Sequence, residues 1–191
     1  KKQQKKEVYQ EGINLASIDI GTNGARLLIK SFNDHAPIRE RIRKVMFVRI
    51  PLRLGLDVFS IGKISKEREF MMIQMVKGFK HFMKLNHVTK FRACATSAMR
   101  DAENGEKIIK NIEHQTGIRL QIVKGEEEAR LLYNNLVERT DSNAGNLVYM
   151  DVGGGSTEVS LLCDGELICS KSYNVGTLRM LNGKVKEDIL E

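Results

Sequence analysis

The sequence has few cysteines, few prolines and no tryptophan: three, two and none among its 191 residues. Cys94, Cys163 and Cys169 form no CxxC pair, and no histidine stands near them at the spacing of a zinc ligand. This pattern argues against a disulfide framework and a cysteine-based zinc site, and it predicts reduced thiols in a cytoplasmic protein. No run of about 18 apolar residues occurs, so neither a membrane-spanning helix nor a membrane partner is predicted.

Several catalytic signatures are missing as well. The four histidines are scattered along the chain, and the sequence contains no HExxH, no G-x-S-x-G and no G-x-x-x-x-G-K-[ST]. Zinc-protease chemistry, a serine nucleophile elbow and a Walker-type phosphate loop are therefore unsupported.

The chain is basic, with a formal net charge of +7. A basic surplus favours polyanionic partners such as phosphorylated metabolites, anionic lipid or nucleic acid, although solubility accounts for it equally well. Part of the surplus lies in a segment that mixes apolar and basic residues like a strand, and a solvent-exposed strand face explains it without a ligand. The basic residues of this segment are Arg39, Arg41, Arg43, Lys44, Arg49 and Arg53.

The hydrophobic pattern predicts an α/β protein. Residues 13–20, 25–32 and 36–50 predict an antiparallel meander, and residues 51–59, which contain Pro51 and Gly55, predict an irregular segment. Strands and helices then alternate, which predicts parallel pairing. The later elements are a long helix from an N-cap at Ser65, a strand at 91–95, a turn at 96–102, a helix at 105–115, a strand at 118–123, a helix at 126–139, a polar loop at 141–146, strands at 147–151, 156–163 and 167–173 with a hairpin turn at Asp164-Gly165, and a helix beginning near 175.

The long helix has an apolar stripe that predicts core packing rather than a cofactor contact. Its members recur every three residues, and methionines broaden it. They are Phe70, Ile73, Val76, Phe79 and Phe82, with Met72, Met75 and Met83.

One pattern occurs twice. Asp19 and Asp151 each end a buried strand, each is followed by an apolar residue and a glycine, and each leads into a β-rich run. This repeat predicts two related half-domains that face each other.

The second copy of the repeat has the composition of a phosphate-binding turn. Backbone N–H groups in a Gly-rich turn form a concave nest for anions, and hydroxyl groups add donors. Asp151 before the turn and Glu158 after it are hard oxygen ligands of the kind that hold Mg²⁺ beside phosphates. The predicted phosphate-binding residues of this turn are Gly153, Gly154, Gly155, Ser156 and Thr157.

The first copy, at residues 21–26, offers the same elements in weaker form. Thr22 and Asn23 can donate hydrogen bonds to phosphate, Gly24 lies between them and the next strand, and Asp19 precedes the turn. Arg26 is either a charge clamp on phosphate or a surface residue of the strand.

Two further blocks follow predicted parallel strands. Three glutamates at 126–128 open a helix, where the helix dipole alone would account for them. Their position after a parallel strand instead predicts that they lie at the ligand crevice. In the block at 96–100, either Ser97 is only a helix N-cap and Arg100 a surface residue, or Arg100 lies toward the phosphate.

Four blocks of the sequence together resemble the exopolyphosphatase/guanosine pentaphosphate phosphatase family. They are L15-A16-S17-I18-D19-I20-G21-T22-N23, A95-T96-S97-A98-M99-R100, G125-E126-E127-E128-A129-R130 and D151-V152-G153-G154-G155-S156-T157-E158. The last block is shared more widely with actin-like ATPases and sugar kinases, and the glutamate-rich block makes the resemblance specific.

The resemblance implies an actin-like (ribonuclease H-like) α/β fold, with a mixed five-stranded sheet flanked by helices and the start of a second similar domain. It implies a Mg²⁺-dependent hydrolase that removes terminal phosphate from inorganic polyphosphate or the 5′ γ-phosphate of guanosine pentaphosphate, with no nucleic-acid partner and with a tendency to form homodimers. Glu127 matches the catalytic glutamate that activates water, Asp151 and Glu158 match metal-associated acids, and Gly153 to Thr157, Asn23 and Arg26 fall in phosphate-binding loops.

The implied organisation is a polar tail at 1–12, a first domain at 13–124, a hinge near Lys124-Gly125 and the opening part of a second domain at 125–191. Gly24 stands where the family has serine. Because family subunits are longer, we expect this 191-residue chain alone to bind phosphate weakly and to turn over poorly. A small-molecule kinase and a non-enzymatic nucleotide sensor of the same superfamily are the alternative functions.

Overall fold

A computed structural model of the chain describes residues 12–137 and 145–185. Nearly all of the predicted polar tail, the predicted end of the helix at Arg139 and most of the predicted loop at 141–146 lie outside these ranges.

The first part of the structure is a five-stranded mixed sheet in the order β3-β2-β1-β4-β5. The strands are β1 (Ile13–Ile20), β2 (Ala25–Phe32), β3 (Ile42–Ile50), β4 (Val88–Ala95) and β5 (Gln121–Ile122). The first three pair antiparallel, whereas β1 and β4, and β4 and β5, pair parallel. The predicted meander and the predicted parallel pairing are both confirmed, with a 3₁₀ turn at Ile38–Glu40 before β3.

The strands have one buried face, because buried and more exposed residues alternate along β1 and β2. Helices α1 (Leu54–Ile61), α2 (Lys66–Leu85), α3 (Ser97–Asp101) and α4 (Gly105–Thr116) accompany this sheet, and the core between them is apolar. Its largest fully buried members are Phe79, Ile18, Ile20, Leu27, Ile29, Leu52, Leu54, Met72, Met99, Ile108 and Ile112. This is the mixed five-stranded sheet flanked by helices that the resemblance implies for an actin-like domain.

Helix α2 begins as predicted at the N-cap Ser65, whose hydroxyl accepts a hydrogen bond from the backbone N–H of Arg68. The predicted stripe needs one correction. Phe70 is 62% exposed and Phe82 38% exposed, whereas the methionines of the stripe are buried. The buried face is therefore rotated toward Met72, Met75 and Met83, which fill the core in place of the two phenylalanines.

Two short helices were predicted as irregular structure. Residues 54–61 form α1 although Pro51 and Gly55 indicated a break, because the proline precedes the helix and the glycine lies in its first turn. Residues 97–101 form α3 rather than a turn. Five residues are too few for a helical hydrophobic period to appear in the sequence.

The second part contains an antiparallel three-stranded sheet, β6 (Asn146–Val152), β7 (Thr157–Cys163) and β8 (Glu166–Tyr173), in that order. Asp164 and Gly165 make the predicted hairpin turn with φ angles of 49° and 82°. Helix α5 (Gly125–Val137) packs against β7 and β8, and helix α6 (Thr177–Leu181) follows β8.

The predicted repeat is visible in the backbone. The N–H of Gly21 donates to the carbonyl of Gly24 over 3.0 Å, and the N–H of Gly153 donates to the carbonyl of Ser156 over 2.8 Å. Each turn joins the first two strands of an antiparallel meander, and a helix follows the third strand in both cases. The two copies thus share strand order, turn closure and the element that comes next.

The basic residues between 39 and 53 are exposed, as predicted for a solvated strand face. Within the described ranges, no helix is both long enough and apolar enough to cross a membrane.

Candidate active site

The two repeated turns line one cleft of about 150 Å³, here called the phosphate-loop cleft. It lies between the first sheet and the second. Its lining residues are Asp19, Gly21, Thr22, Asn23, Gly24, Arg26, Arg49, Thr96, Ser97, Glu128, Asp151, Val152, Gly153, Gly154, Gly155, Ser156 and Glu158. The structure therefore brings together most of the residues that the sequence singled out.

The two turns touch each other in this cleft. A Cβ atom on Gly155 would lie 2.8 Å from Thr22 Oγ1 and 3.0 Å from the ring of Phe59, and it would overlap Ser97 Oγ. Glycine at this position is needed because the first domain occupies the space of a side chain. Packing within the protein therefore requires a glycine at this position even without bound phosphate.

Packing also explains the glycine at position 24. A Cβ atom at Gly24 would lie 3.0 Å from the carbonyl oxygen of Ile50, so a serine there requires the end of β3 to shift by a few tenths of an ångström. Close pairing of β2 with β3 at this point suits a glycine.

The acidic residues of the cleft are positioned by strand register. Asp151 lies directly opposite Glu158 in the β6–β7 pair, and Asp19 lies directly opposite Arg26 in the β1–β2 pair. Directly opposed residues share one face of an antiparallel sheet. The second turn thus presents two carboxylates where the first presents a carboxylate and a guanidinium.

Asp19 and Arg26 form an ion pair of 3.3 Å at the mouth of the cleft. Burial raises the pKa of Asp19 above its ordinary value, Arg26 opposes that rise, and the charge of Asp151 adds to it. Arg26 is exposed and also lines the cleft, and its role as a charge clamp on phosphate stays a prediction. Asp19 and Asp151 both line the cleft.

Glu158 is the most buried carboxylate of the group, with 3% of its surface exposed. Its Oε1 accepts a hydrogen bond of 2.8 Å from the hydroxyl of Ser172 on β8. This hydrogen bond from β8 fixes the orientation of the carboxylate.

Glu128 also lines the cleft, as the position of the three glutamates predicted, although the resemblance assigned the catalytic role to Glu127. Its Oε2 is buried, accepts no hydrogen bond from the part of the chain that the structure describes, and lies 3.6 Å from Arg100 Nη1. Burial raises the pKa of Glu128 to about 7; the charge of Glu158 adds to the rise, and Arg100 opposes it. A carboxyl with this pKa can gain or lose a proton near neutral pH.

Glu127, the predicted catalytic residue, does not line the cleft. Its Oε1 is paired with Arg92 Nη2 over 2.5 Å, and it borders a neighbouring pocket with Lys124, Glu126 and Arg130. Successive residues of a helix point about 100° apart, and here Glu128 faces the cleft whereas Glu127 faces the neighbouring pocket. The orientation of α5 selects Glu128.

Arg100 and Thr157 also fall outside the lining of the cleft. Arg100 Nη1 donates to the carbonyl of Val123 over 2.7 Å and faces Glu128, so it is neither a free surface residue nor a lining residue. The hydroxyl of Thr157 donates to the carbonyl of Val175 over 2.6 Å. Both side chains support the loops that surround the cleft.

The sequence carried partial signals for some of the residues that were not predicted. Arg49 on β3 lies directly opposite Arg26 on β2, and the predicted antiparallel meander could have indicated this position. Thr96 is the N-cap position of α3 and Ser97 its first residue, both buried at the end of β4. They belong to a block that was singled out for Arg100.

The acidic residues of the cleft fit one common mode of Mg²⁺ binding. Among the described residues, no three His, Cys, Asp or Glu side chains stand close enough together to hold a metal ion by themselves. Mg²⁺, however, is commonly held by one or two carboxylates together with substrate phosphates and water. Asp19, Asp151 and Glu158 line a cleft that also contains Gly-rich turns, and this donor set fits that mode of binding.

Known proteins match the chain over most of its length. The model of the Ppx/GppA phosphatase family matches residues 34–191, which include the last three of the four blocks described above. Exopolyphosphatase 1 of Mycobacterium tuberculosis is 30% identical over 176 residues, covering 92% of this chain and 50% of that protein.

Two solved structures give the same result for the fold. A Ppx/GppA family member from Aquifex aeolicus superposes with a TM-score of 0.74 at 26% identity, covering 86% of this chain and 52% of that one. An exopolyphosphatase from Cytophaga hutchinsonii superposes with a TM-score of 0.81 at 24% identity, covering 92% and 56%. The chain therefore spans about half the length of the relatives that it matches.

Proposed function

The chain belongs to the Ppx/GppA phosphatase family, and from this membership we propose that the protein is a hydrolase that releases the terminal phosphate of inorganic polyphosphate. The 5′ γ-phosphate of guanosine pentaphosphate is the second substrate to assay, since it presents the same terminal phosphoanhydride bond. Relatives named as exopolyphosphatases support polyphosphate as the first.

The observation that carries the proposal is the position of Glu128. Its carboxylate shares one cleft with both repeated turns. Hydrolysis of a phosphoanhydride needs an anion cradle and a group that orients water and accepts its proton. We propose that Glu128, rather than its neighbour Glu127, is that group.

The proposed reaction proceeds in line. The oxygen of a water molecule attacks the terminal phosphorus, and the bridging P–O bond breaks as the new P–O bond forms. The water proton passes to the carboxylate of Glu128, and the shortened chain leaves with the electron pair of the broken bond. The backbone N–H groups of the two turns, with Arg26 and Arg49, would stabilise the negative charge on the phosphoryl oxygens.

Mg²⁺ is part of the proposal. One or two of the carboxylates of Asp19, Asp151 and Glu158 would hold it together with substrate phosphate and water, and when bound it would neutralise charge on the substrate oxygens. Without a cation, three carboxylates facing a polyanion would repel it, so phosphate release should require Mg²⁺ and stop when a chelator is added.

A pair of isosteric variants tests the assignment of the base. Glu128→Gln should lower phosphate release from polyphosphate by about 10²- to 10⁴-fold in a malachite-green assay of the intact protein. Glu127→Gln is the matched control on the same helix, and it should retain activity within a few-fold of wild type. A loss in Glu127→Gln with activity kept in Glu128→Gln would overturn the assignment.

The same assay tests the function itself. Phosphate released from polyphosphate and from guanosine pentaphosphate should be measured separately, with and without Mg²⁺. Phosphorylation of an added metabolite by ATP, with no release from either substrate, would indicate a kinase instead. Binding of polyphosphate without turnover in wild type would indicate a sensor. The homodimer that the resemblance implies is a separate proposal, tested by the molar mass that light scattering gives for the protein eluting from a size-exclusion column.

A further inference from the structure

Arg179, on the short helix α6, connects the second part of the structure to the first. Its Nε donates a hydrogen bond of 2.7 Å to the carbonyl of Gly155, and its Nη2 donates one of 3.3 Å to Ser97 Oγ. Nη2 is also paired with Asp101 Oδ2, and the guanidinium lies 4.5 Å from the centre of the Phe59 ring. Ser97, Asp101 and Phe59 all belong to the first domain.

The arginine is nearly buried, with 9% of its surface exposed. A buried guanidinium is retained at a cost in hydration, which the four contacts offset. It is not among the residues that line the phosphate-loop cleft. Its side chain therefore contacts the Gly-rich loop from the side away from the cleft.

The backbone of α6 binds the same loop. The N–H of Thr177 donates to the carbonyl of Gly153 over 3.0 Å, and the N–H groups of Leu178 and Arg179 donate to the carbonyl of Gly154 over 2.9 and 3.1 Å. With the side chain of Arg179 on Gly155, three consecutive loop carbonyls are bound by one short element. Gly176 allows this approach, because a Cβ atom there would lie 2.5 Å from the nitrogen of Gly155.

The binding of these carbonyls fixes the direction of the loop amides. No peptide bond in the described ranges is cis, and in a trans peptide the C=O and the following N–H point in opposite directions. With the carbonyls of residues 153, 154 and 155 turned toward α6, the N–H groups of Gly154, Gly155 and Ser156 are turned away from it. These are the amides that an anion nest at this turn would use.

We propose that Arg179 is a positioning residue for the phosphate site: it holds the carbonyl edge of residues 153–155 against the first domain, so that the loop amides face the terminal phosphate. The inference rests on the proposed function, and it adds a residue that touches neither substrate nor metal. Because its guanidinium bridges the loop to Ser97 and Asp101, it also sets the width of the cleft.

Binding measured apart from turnover tests the proposal. In the intact protein carrying Glu128→Gln, the affinity for tripolyphosphate is measured by calorimetry with and without Arg179→Met. The methionine keeps the aliphatic stem and removes all the donors of the guanidinium. Loss of one well-placed hydrogen bond to a charged phosphate oxygen corresponds to about 10- to 100-fold in affinity, so we expect a loss of affinity in that range.

Arg68→Met is the matched control. Arg68 is a half-buried arginine that, like Arg179, binds a backbone carbonyl, here that of Leu52, and a carboxylate, here that of Asp57 at 3.5 Å. It does not line the cleft or contact the Gly-rich loop. A comparable drop in melting temperature with unchanged tripolyphosphate affinity is expected for Arg68→Met. An equal loss of affinity in both variants would overturn the positioning role, because it would reflect general loosening.

A conservative variant covers the case in which Arg179→Met does not fold. Arg179→Lys keeps the positive charge but offers a single donor group in place of the planar fork. It should recover part of the affinity and remain about tenfold weaker than the Glu128→Gln background. Affinity equal to the background in either folded variant contradicts the proposal.

The outcomes separate this inference from the proposed function. If wild type releases no phosphate from polyphosphate but tripolyphosphate binding still falls in the arginine variants, the hydrolase proposal fails and the positioning role stands. If wild type hydrolyses polyphosphate and Arg179→Met changes neither KM nor tripolyphosphate affinity, the hydrolase stands and the positioning role fails. Absence of tripolyphosphate binding in the Glu128→Gln protein would overturn the positioning role as well.

Discussion

The carboxylate of Glu128 and the guanidinium of Arg100 lie 3.6 Å apart, close enough for attraction but too far for a hydrogen bond. Arg100 Nη1 instead donates a hydrogen bond to the carbonyl of Val123. Among the described residues, Glu128 thus has a charge partner but no donor for the buried Oε2. A buried acceptor without a donor costs free energy, and the nearby charge of Arg100 offsets part of that cost.

The first prediction concerns the pH dependence of stability. The pKa of Glu128 rises from 4.5 to about 7 on folding, so the folded state binds more protons than the unfolded state between these values. Stability contributed by this group is present below pH 4.5 and is lost as the pH rises to 7. Glu128→Gln should therefore gain stability relative to wild type between pH 4.5 and 8, by up to roughly 3 kcal/mol.

Chemical denaturation of the metal-free protein at the two pH values measures this difference. A stability difference between Glu128→Gln and wild type that does not change with pH would contradict the raised pKa. The same measurement bears on function, because a side chain that destabilises the fold is expected where activity needs it.

The second prediction concerns Arg100. Its charge lowers the pKa of Glu128 against the effects of burial and of Glu158. Arg100→Met should raise that pKa further, so the acidic limb of kcat/KM should move to higher pH. Arg100→Lys keeps the charge and should shift the limb less. The pH profile of phosphate release checks this, and an unmoved limb in Arg100→Met would show that the arginine does not act through Glu128.

Much of the fold could be predicted because its signals are local. The strands at 13–20 and 25–32 and the turn at Asp164-Gly165 depend on neighbouring residues, and the structure has them where predicted. Helix α1 was missed because Gly55 indicates a break in the sequence. In the structure a Cβ atom on Gly55 would lie 2.5 Å from Thr22 Cγ2, so that glycine serves a contact between distant segments.

The site was harder to predict than the fold for the same reason. Three consecutive glutamates identify the start of α5, but the rotation of the helix about its axis is set by packing against β7 and β8. Glu127 and Glu128 are therefore indistinguishable until the helix is in place. Arg179 carried no signal at all, because its partners Ser97 and Gly155 lie 82 and 24 residues away.

The third prediction concerns Thr157, which the sequence suggested as a phosphate ligand. Its hydroxyl donates to the carbonyl of Val175 instead. Thr157→Val should cost about 1 kcal/mol of stability from the lost hydrogen bond and leave tripolyphosphate affinity unchanged. Ser156→Ala, at the buried position that lines the cleft, is the comparison and should weaken binding. Weakened binding in Thr157→Val with the melting temperature unchanged would restore the threonine to the site.

The fourth prediction concerns the contact between the two turns at Gly155. Gly155→Ala places a methyl group against Thr22, Ser97 and Phe59, so it should destabilise the protein by about 1–3 kcal/mol and weaken tripolyphosphate binding. Gly78→Ala is the control, since a Cβ atom there meets nothing within 4 Å and α2 continues through it. That variant should gain about 1 kcal/mol from helix propensity and keep its affinity. Thermal unfolding and calorimetry measure both; a stable, fully binding Gly155→Ala would mean that the first domain does not press on the loop, and the tight fit inferred between the turns would be wrong.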